Sequence, residues 1–282
     1  MGSIMGFFQL IRAAAIGWWN DRAMSLGASI AFFTLFSLAP MLLLAISVVG
    51  LAYGREAAQG AVVGELGGLL GKDAAAALEA LIASARDVGS GVIGTAVGVV
   101  TFLVVATGAV SEIQDNLNII WKVQGSSFSL WSVLRTRVLS LALVLGIGFL
   151  LLVSLLVDAA ISVIATYIEA GFSEGLAVLQ LLNSVASFLV ATLLFAMIFK
   201  ILPAVALAWR DVAAGAAVTG LLFTVGKVLI GLYIGQSGIA SGYGAAASVI
   251  TIMLWIYYSS LILLFGAEFT KAFAETRGSH AR

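Results

Sequence analysis

Lys227 is the one charged residue in residues 212–235, which read VAAGAAVTGLLFTVGKVLIGLYIG. A run of that length and composition can cross a hydrocarbon core of about 30 Å. An ammonium group inside such a span costs about 2.5–3.5 kcal/mol on insertion scales, so it calls for a partner or a water-filled cavity. At the rise of an α-helix, Lys227 lies about 22 Å along the run. Helical side chains lean toward the N-terminus, which here is the cytoplasmic side, so the amine leans toward mid-bilayer. Asp158 and Asn183 fall at comparable depth in their own segments. Two readings stand side by side. Lys227, Asp158 and Asn183 could line an outward cavity that meets an anionic headgroup or carries a coupling proton. Alternatively, Lys227 and Asp158 form a structural pair that fixes helix register.

A second constellation surrounds Glu112, Asp115, Asn116 and Asn118, with Glu268 near the C-terminus. The i, i+3 spacing puts Glu112 and Asp115 on one helix face and repeats for Asp115 and Asn118. Arg22, Arg135 and Arg137 are available as basic partners. One reading is a cytoplasmic gate of ion pairs built from Glu112, Asp115, Asn118, Glu268 and Arg22. The other is a solvated helix end with ordinary salt bridges, each contributing about 0–1 kcal/mol. Glu112 and Glu268 stand closest to the bilayer and make the better gate candidates.

Catalysis is not expected, and no catalytic residue, metal site or cofactor is assigned. Metal-dependent hydrolysis needs several convergent carboxylates or histidines. Only Glu112, Asp115 and Glu268 could converge, and the single histidine, His280, reads as a solvated tail residue. The absence of Cys removes disulfides, thiolate metal sites and cysteine nucleophiles. GELGGLLGKD contains a Gly-Lys pair, but Asp73 stands where a phosphate-binding loop needs Ser or Thr, and the glycine spacing fails. A net charge of zero and the lack of a basic aromatic groove argue against nucleic acid.

The elements that position these residues follow from composition. Of 282 residues, 62% are hydrophobic and 10% charged, against about 25% charged in soluble domains. Residues 4–20 place Ile4, Phe7, Phe8, Ile11, Ala14, Ala15 and Trp18 at helical spacing, an amphipathic helix read as interfacial, with Trp18 and Trp19 at headgroup level. Packing of this helix on the bundle is the competing reading. Six spans follow, at residues 29–53, 92–112, 138–157, 178–202, 212–235 and 244–265. Pro40 sits inside the first, a kink that bilayer helices tolerate. The second continues as a polar helix to residue 123. Residues 54–90 alternate charges with Ala, Gly and Leu and read as an extracytoplasmic helical cap, with an amphipathic helix at 73–86. No removable signal peptide is read at the N-terminus.

Six spans put both termini on one side. That side collects Arg12, Arg22, Lys122, Arg135, Arg137, Lys200, Arg210, Lys271, Arg277 and Arg282, while the other holds Arg55, Lys72 and Arg86. Positive charge stays cytoplasmic, so both termini are predicted inside. The fold class is an all-α polytopic membrane protein forming one membrane domain.

Four separated runs carry a resemblance. Residues 28–40 (ASIAFFTLFSLAP), 114–121 (QDNLNIIW), 223–233 (FTVGKVLIGLY) and 243–270 (YGAAASVITIMLWIYYSSLILLFGAEFT) resemble the YihY/BrkB family of bacterial inner-membrane proteins. The likeness covers residues 20–275 in family order. It implies six transmembrane helices, cytoplasmic termini and a place in the inner membrane. The family once carried a ribonuclease label, generally considered mistaken. It is otherwise described as transporters or exporters, linked to serum resistance and, for some members, to export of lipopolysaccharide-type lipids. It implies no catalytic or binding residues. The expected function is therefore export of an amphipathic, anionic lipid-like substrate, with membrane lipids as partners. The alternative is a membrane scaffold, with a nuclease as the remote third reading.

Overall fold

A computed structural model of the chain describes residues 2–70, 92–123, 175–236 and 247–280, with isolated positions between them. Among these residues all regular structure is helical. Most of the predicted span 138–157, Asp158 and most of the predicted helix 73–86 lie outside the described residues.

Seven helices are described: α1 (Gly2–Asn20), α2 (Ala23–Tyr53), α3 (Arg55–Leu70), α4 (Val92–Ile120), α5 (Gly175–Ile201), α6 (Trp209–Gln236) and α7 (Ala247–Arg277). Among the described residues, three stretches are long and apolar enough to cross a membrane: Ser184–Ile201, Trp209–Ile230 and Val249–Arg277. Helix α2 starts six residues before the predicted span and runs unbroken through Pro40. Lipid-type bundles tolerate an internal proline because neighbouring groups satisfy the freed carbonyl. Helix α4 merges the second predicted span with its polar continuation and ends at Ile120 rather than 123.

Helix α7 is the central element, packed on α1, α2 and α6, while α4 covers α2 and α5 covers α6. The main core joins Ile30, Val110, Leu117, Ile120, Phe199, Val212, Ala216 and Leu264, so five helices meet in it. A second cluster sets Ala58 and Val62 of α3 against Leu42, Leu43 and Ile46 of α2 and Ile252 and Trp255 of α7. Gly54, at φ 81°, makes the reversal that lays α3 back along α2; that left-handed φ suits a residue without Cβ.

Helices α6 and α7 approach through a reciprocal pattern. A Cβ at Gly215 would lie 2.8 Å from Thr270 Cβ and 3.2 Å from its backbone Cα; one at Gly266 would lie 2.9 Å from Thr219 Cβ. Each threonine thus covers the glycine of the other helix. Its hydroxyl donates to the glycine carbonyl one turn back on its own helix, Thr219 to Gly215 and Thr270 to Gly266, both at 2.7 Å. Small residues permit close packing where lipid supplies no hydrophobic drive between helices.

Helix α1 buries Leu10 and Ala14 against Phe269 and Ala272 of α7. Trp18 is half-buried, and its indole donates to the Leu261 carbonyl at 3.2 Å. Phe8, Ile16 and Trp19 remain exposed on the opposite side, while Phe7, partly exposed, sets its ring edge-on to Phe269 with centroids 6.0 Å apart. One face of the helix therefore packs on the bundle, as the competing reading had it, and the other is apolar and open.

Candidate functional site

The polar residues of the second constellation gather at one end of the bundle, where the α1–α2 turn, the C-terminal end of α4 and the last turns of α7 meet. Helix α4 ends in a reversal in which Val123 N–H donates to Asn118 O and Lys122 N–H to Ile119 O, both at 3.0 Å. That is the hydrogen-bond pattern of a Schellman cap, which usually carries glycine at its left-handed position. Here Lys122 holds it, at φ 53°. Arg22, between α1 and α2, has φ 55°. These are the two non-glycine residues with positive φ among the described residues. A left-handed L-residue costs roughly 1–2 kcal/mol, and such strain persists where surrounding structure over-determines it.

What surrounds them is a set of cross-helix polar contacts. Lys122 Nζ pairs with Asp21 Oδ1. Lys271 Nζ, from α7, donates to the Ile120 carbonyl at 2.8 Å and so caps the end of α4. Asn116 is 2% exposed. Its amide stands 3.2 Å from the Leu26 carbonyl, 3.2 Å from Ser29 Oγ and 3.5 Å from Glu112 Oε1, tying α4 to α2. Asn118 Oδ1 accepts from the Ala204 N–H at 2.9 Å, tying α4 to the α5–α6 connection. Glu268 is 3% exposed and lies against α1, where a Cβ at Gly17 would come within 2.8 Å of its Cδ.

The expected gate residues separate accordingly. Glu268, Glu112 and Asn118 belong to this network. Asp115 points outward and is exposed; partial desolvation first, and then the neighbouring Glu112 carboxylate, raise its pKa. Arg22 is exposed and contributes backbone geometry to the turn. The acid that meets Glu268 is Asp21, and the basic residues at the junction are Lys122 and Lys271. Sequence reasoning gave these three no site role. The signal available was an acid, Asp21, directly after a helix-ending Trp-Trp-Asn.

The outer candidates are placed differently. Lys227 is half-buried on α6, beside exposed Val225, Val228 and Leu229. Among the described residues no acid stands within ion-pairing distance of it. On the adjacent position Gly226 admits Tyr258 of α7, whose Cε1 would come 2.7 Å from a Cβ there. Asp158 and the side chain of Asn183 lie outside the described residues.

A further polar latch sits at the start of α6. Buried Asp211 accepts from Ser279 N–H at 2.9 Å and from Ser279 Oγ at 2.5 Å. His280 Nε2 lies 3.2 Å from the Ala206 carbonyl, and its ring packs against Trp121 with centroids 6.1 Å apart. The expectation of a solvated tail histidine is thus corrected: residues 278–280 fold back onto the α5–α6 connection because Asp211 offers a buried acceptor there.

The sequence profile of the family described as Virulence factor BrkB matches residues 14–282. The chain belongs to the BrkB family. It is 32% identical over 183 residues to a UPF0761 membrane protein of Tolumonas auensis, covering 64% of this chain and 58% of that one. A UPF0761 membrane protein of Rhodospirillum centenum is 26% identical over 274 residues, covering 95% of this chain and 58% of the relative. One from Alcanivorax borkumensis is 33% identical over 181 residues, covering 63% of this chain and 40% of the relative. The BrkB chain thus spans about 40–58% of the length of these curated relatives. No solved structure matches it.

Proposed function

We propose that this BrkB-family membrane protein exports or translocates an amphipathic, anionic lipid-like substrate across the bacterial inner membrane and performs no catalysis of its own. In this reading six spans cross the bilayer, both termini face the cytoplasm, and membrane lipids are its immediate partners. Nucleic acid, metal and organic cofactors have no part in it. The observation that supports the reading is Lys227, an ammonium kept half-buried in an apolar helix with no acid against it among the described residues. Such a cation is suited to an anionic headgroup passing along the bundle. The network around Glu268 and Glu112 then stands at the cytoplasmic mouth, where it can part and re-form as an inner gate.

The test is lipid translocation in proteoliposomes with wild-type protein and Lys227→Met. The variant is expected to fold and insert normally and to lose translocation. Full translocation by Lys227→Met would remove the conduit. A second reading, a membrane scaffold, draws on the exposed apolar face of α1; it predicts that Lys227→Met keeps every phenotype while charged substitutions at Phe8 or Trp19 do not. Because the chain has no cysteine, single cysteines introduced at residues 60 and 276 can be labelled from either side. Opposite accessibility of the two positions is expected, and equal accessibility would overturn the proposed topology.

A further inference from the structure

Two carboxyl oxygens at the junction have no hydrogen-bond donor: Asp21 Oδ2 and Glu268 Oε1, both buried. The Glu268 carboxyl packs on Gly17, and Asp21 stands one turn beyond Gly17 with its N–H donating to the Gly17 carbonyl at 2.8 Å, so the two acids share one enclosed corner. A pair of carboxylates cannot bond, since each is acceptor only; the contact becomes a hydrogen bond when one of the two carries a proton. We propose that Asp21 and Glu268 form a proton-binding site in which one proton, held on Glu268 Oε1, is shared with Asp21 Oδ2 at neutral pH.

The surroundings decide which partner carries the proton. The other Asp21 oxygen is already paired with Lys122, so Asp21 has one buried oxygen left to act as an acceptor. Glu268 is almost fully enclosed, lying against Gly17 of α1. The charged groups that act on it are Asp21 and Lys122 from the α1–α2 turn and the end of α4, and Lys271 one turn along α7. Lys271 directs its ammonium to the Ile120 carbonyl, so it leaves Glu268 without a direct donor. Burial of one acid beside a second acid is the arrangement in which a carboxyl group keeps its proton. A metal ion in this place would need more oxygen ligands than two, and among the described residues no group of three or more acids or histidines gathers to hold one.

Release of the proton leaves two like charges in contact, which repel and loosen the α1–α2 turn from α7. Uptake restores the bond. The proton leaves Glu268 Oε1 for water at the rim of the junction, where Lys122 is 60% exposed, and no other bond changes. The site stands on this geometry alone. Its use as the coupling step of export rests on the transport reading above, and the experiment below does not measure transport, so the two can fail separately.

The test is infrared spectroscopy of the purified full-length protein in detergent, titrated from acid to alkaline pH and repeated in deuterated buffer. Wild type is expected to show a buried carboxylic-acid carbonyl band at neutral pH that shifts on deuteration and disappears at alkaline pH. Glu268→Gln removes the carbonyl acid and supplies an amide donor to Asp21, so the band is lost. Asp21→Asn supplies a donor to Glu268, which then ionises, so the band is lost there too. The proposal is overturned if wild type has no such band at neutral pH, or if either variant retains it in full. It is also overturned if replacing choline chloride by sodium chloride at fixed neutral pH abolishes the wild-type band, which would make the ligand a metal cation. Should one variant fail to fold, the wild-type titration and the other variant still decide.

Discussion

Two regions of this BrkB-family chain place charge among apolar helices, and they do so in opposite ways. At the junction, polar groups from the α1–α2 turn, α2, α4 and its C-terminal cap, α7 and the α5–α6 connection bond to one another: Asn116 to Leu26 and Ser29, Asn118 to Ala204, Lys271 to Ile120, Lys122 to Asp21. Twelve positions along α6 from Gly215, Lys227 stands among exposed Val225, Val228 and Leu229. The first arrangement exchanges hydration for internal partners and so contributes to holding the helices in register. The second leaves a cation that the described fold does not use. Polarity inside a membrane bundle therefore has two meanings, and the presence of partners separates them.

The largest expected effect comes from breaking the close approach that holds α7 in place beside the junction. Gly215→Val would put side-chain atoms into Thr270, whose backbone Cα already lies 3.2 Å from a Cβ at that position. Backbone cannot give way as a flexible side chain can. Overpacking of this kind costs about 3 kcal/mol, read as a lowered midpoint of thermal unfolding in detergent. A wild-type midpoint for Gly215→Val would mean that α6 and α7 do not pack as described.

Next in size is Asn116→Leu. It keeps a similar volume and removes the amide that joins α4 to α2. Loss of a buried hydrogen-bonded group costs about 1–3 kcal/mol, measured by the same unfolding experiment. A neutral result would show that the junction's bonds are incidental to stability and would erase the contrast with Lys227. Lys122→Met should cost less, about 0–1 kcal/mol, because its ammonium is largely in water and exposed ion pairs are weak.

The helical periodicity and apolar length of residues 4–20, 29–53, 92–112, 178–202, 212–235 and 244–265 were legible, because a bilayer-sized apolar run leaves few other structures open to it. The helix ends were less so. Helix α4 stops at Ile120 because Lys122 takes a left-handed conformation that sequence reading reserves for Gly or Asn. The junction was half legible: Glu268, Glu112 and Asn118 stand out as polar residues at span ends. Asp21, Lys122 and Lys271 did not, since their roles depend on tertiary contacts between residues 101 and 151 positions apart, which spacing along one helix does not encode. The Gly215/Thr219 and Gly266/Thr270 pairs share a Gly-x-x-x-Thr spacing that was there to be read, although Gly is too common in membrane helices for one such pair to be decisive.

The smallest expected change in stability, and the one that tests the comparison hardest, is Lys227→Met. Methionine preserves length and removes a charge that has no partner among the described residues, so the unfolding midpoint should stay at the wild-type value or rise slightly. If it falls as far as that of Asn116→Leu, Lys227 is bonded to a group outside the described residues, with Asp158 the first candidate. Asp158→Asn would then lower the midpoint by a similar amount, and the double variant would be no worse than either single one. That result would turn Lys227 into a second junction. An unchanged midpoint with loss of translocation would leave the ammonium a residue that the fold tolerates and the function requires.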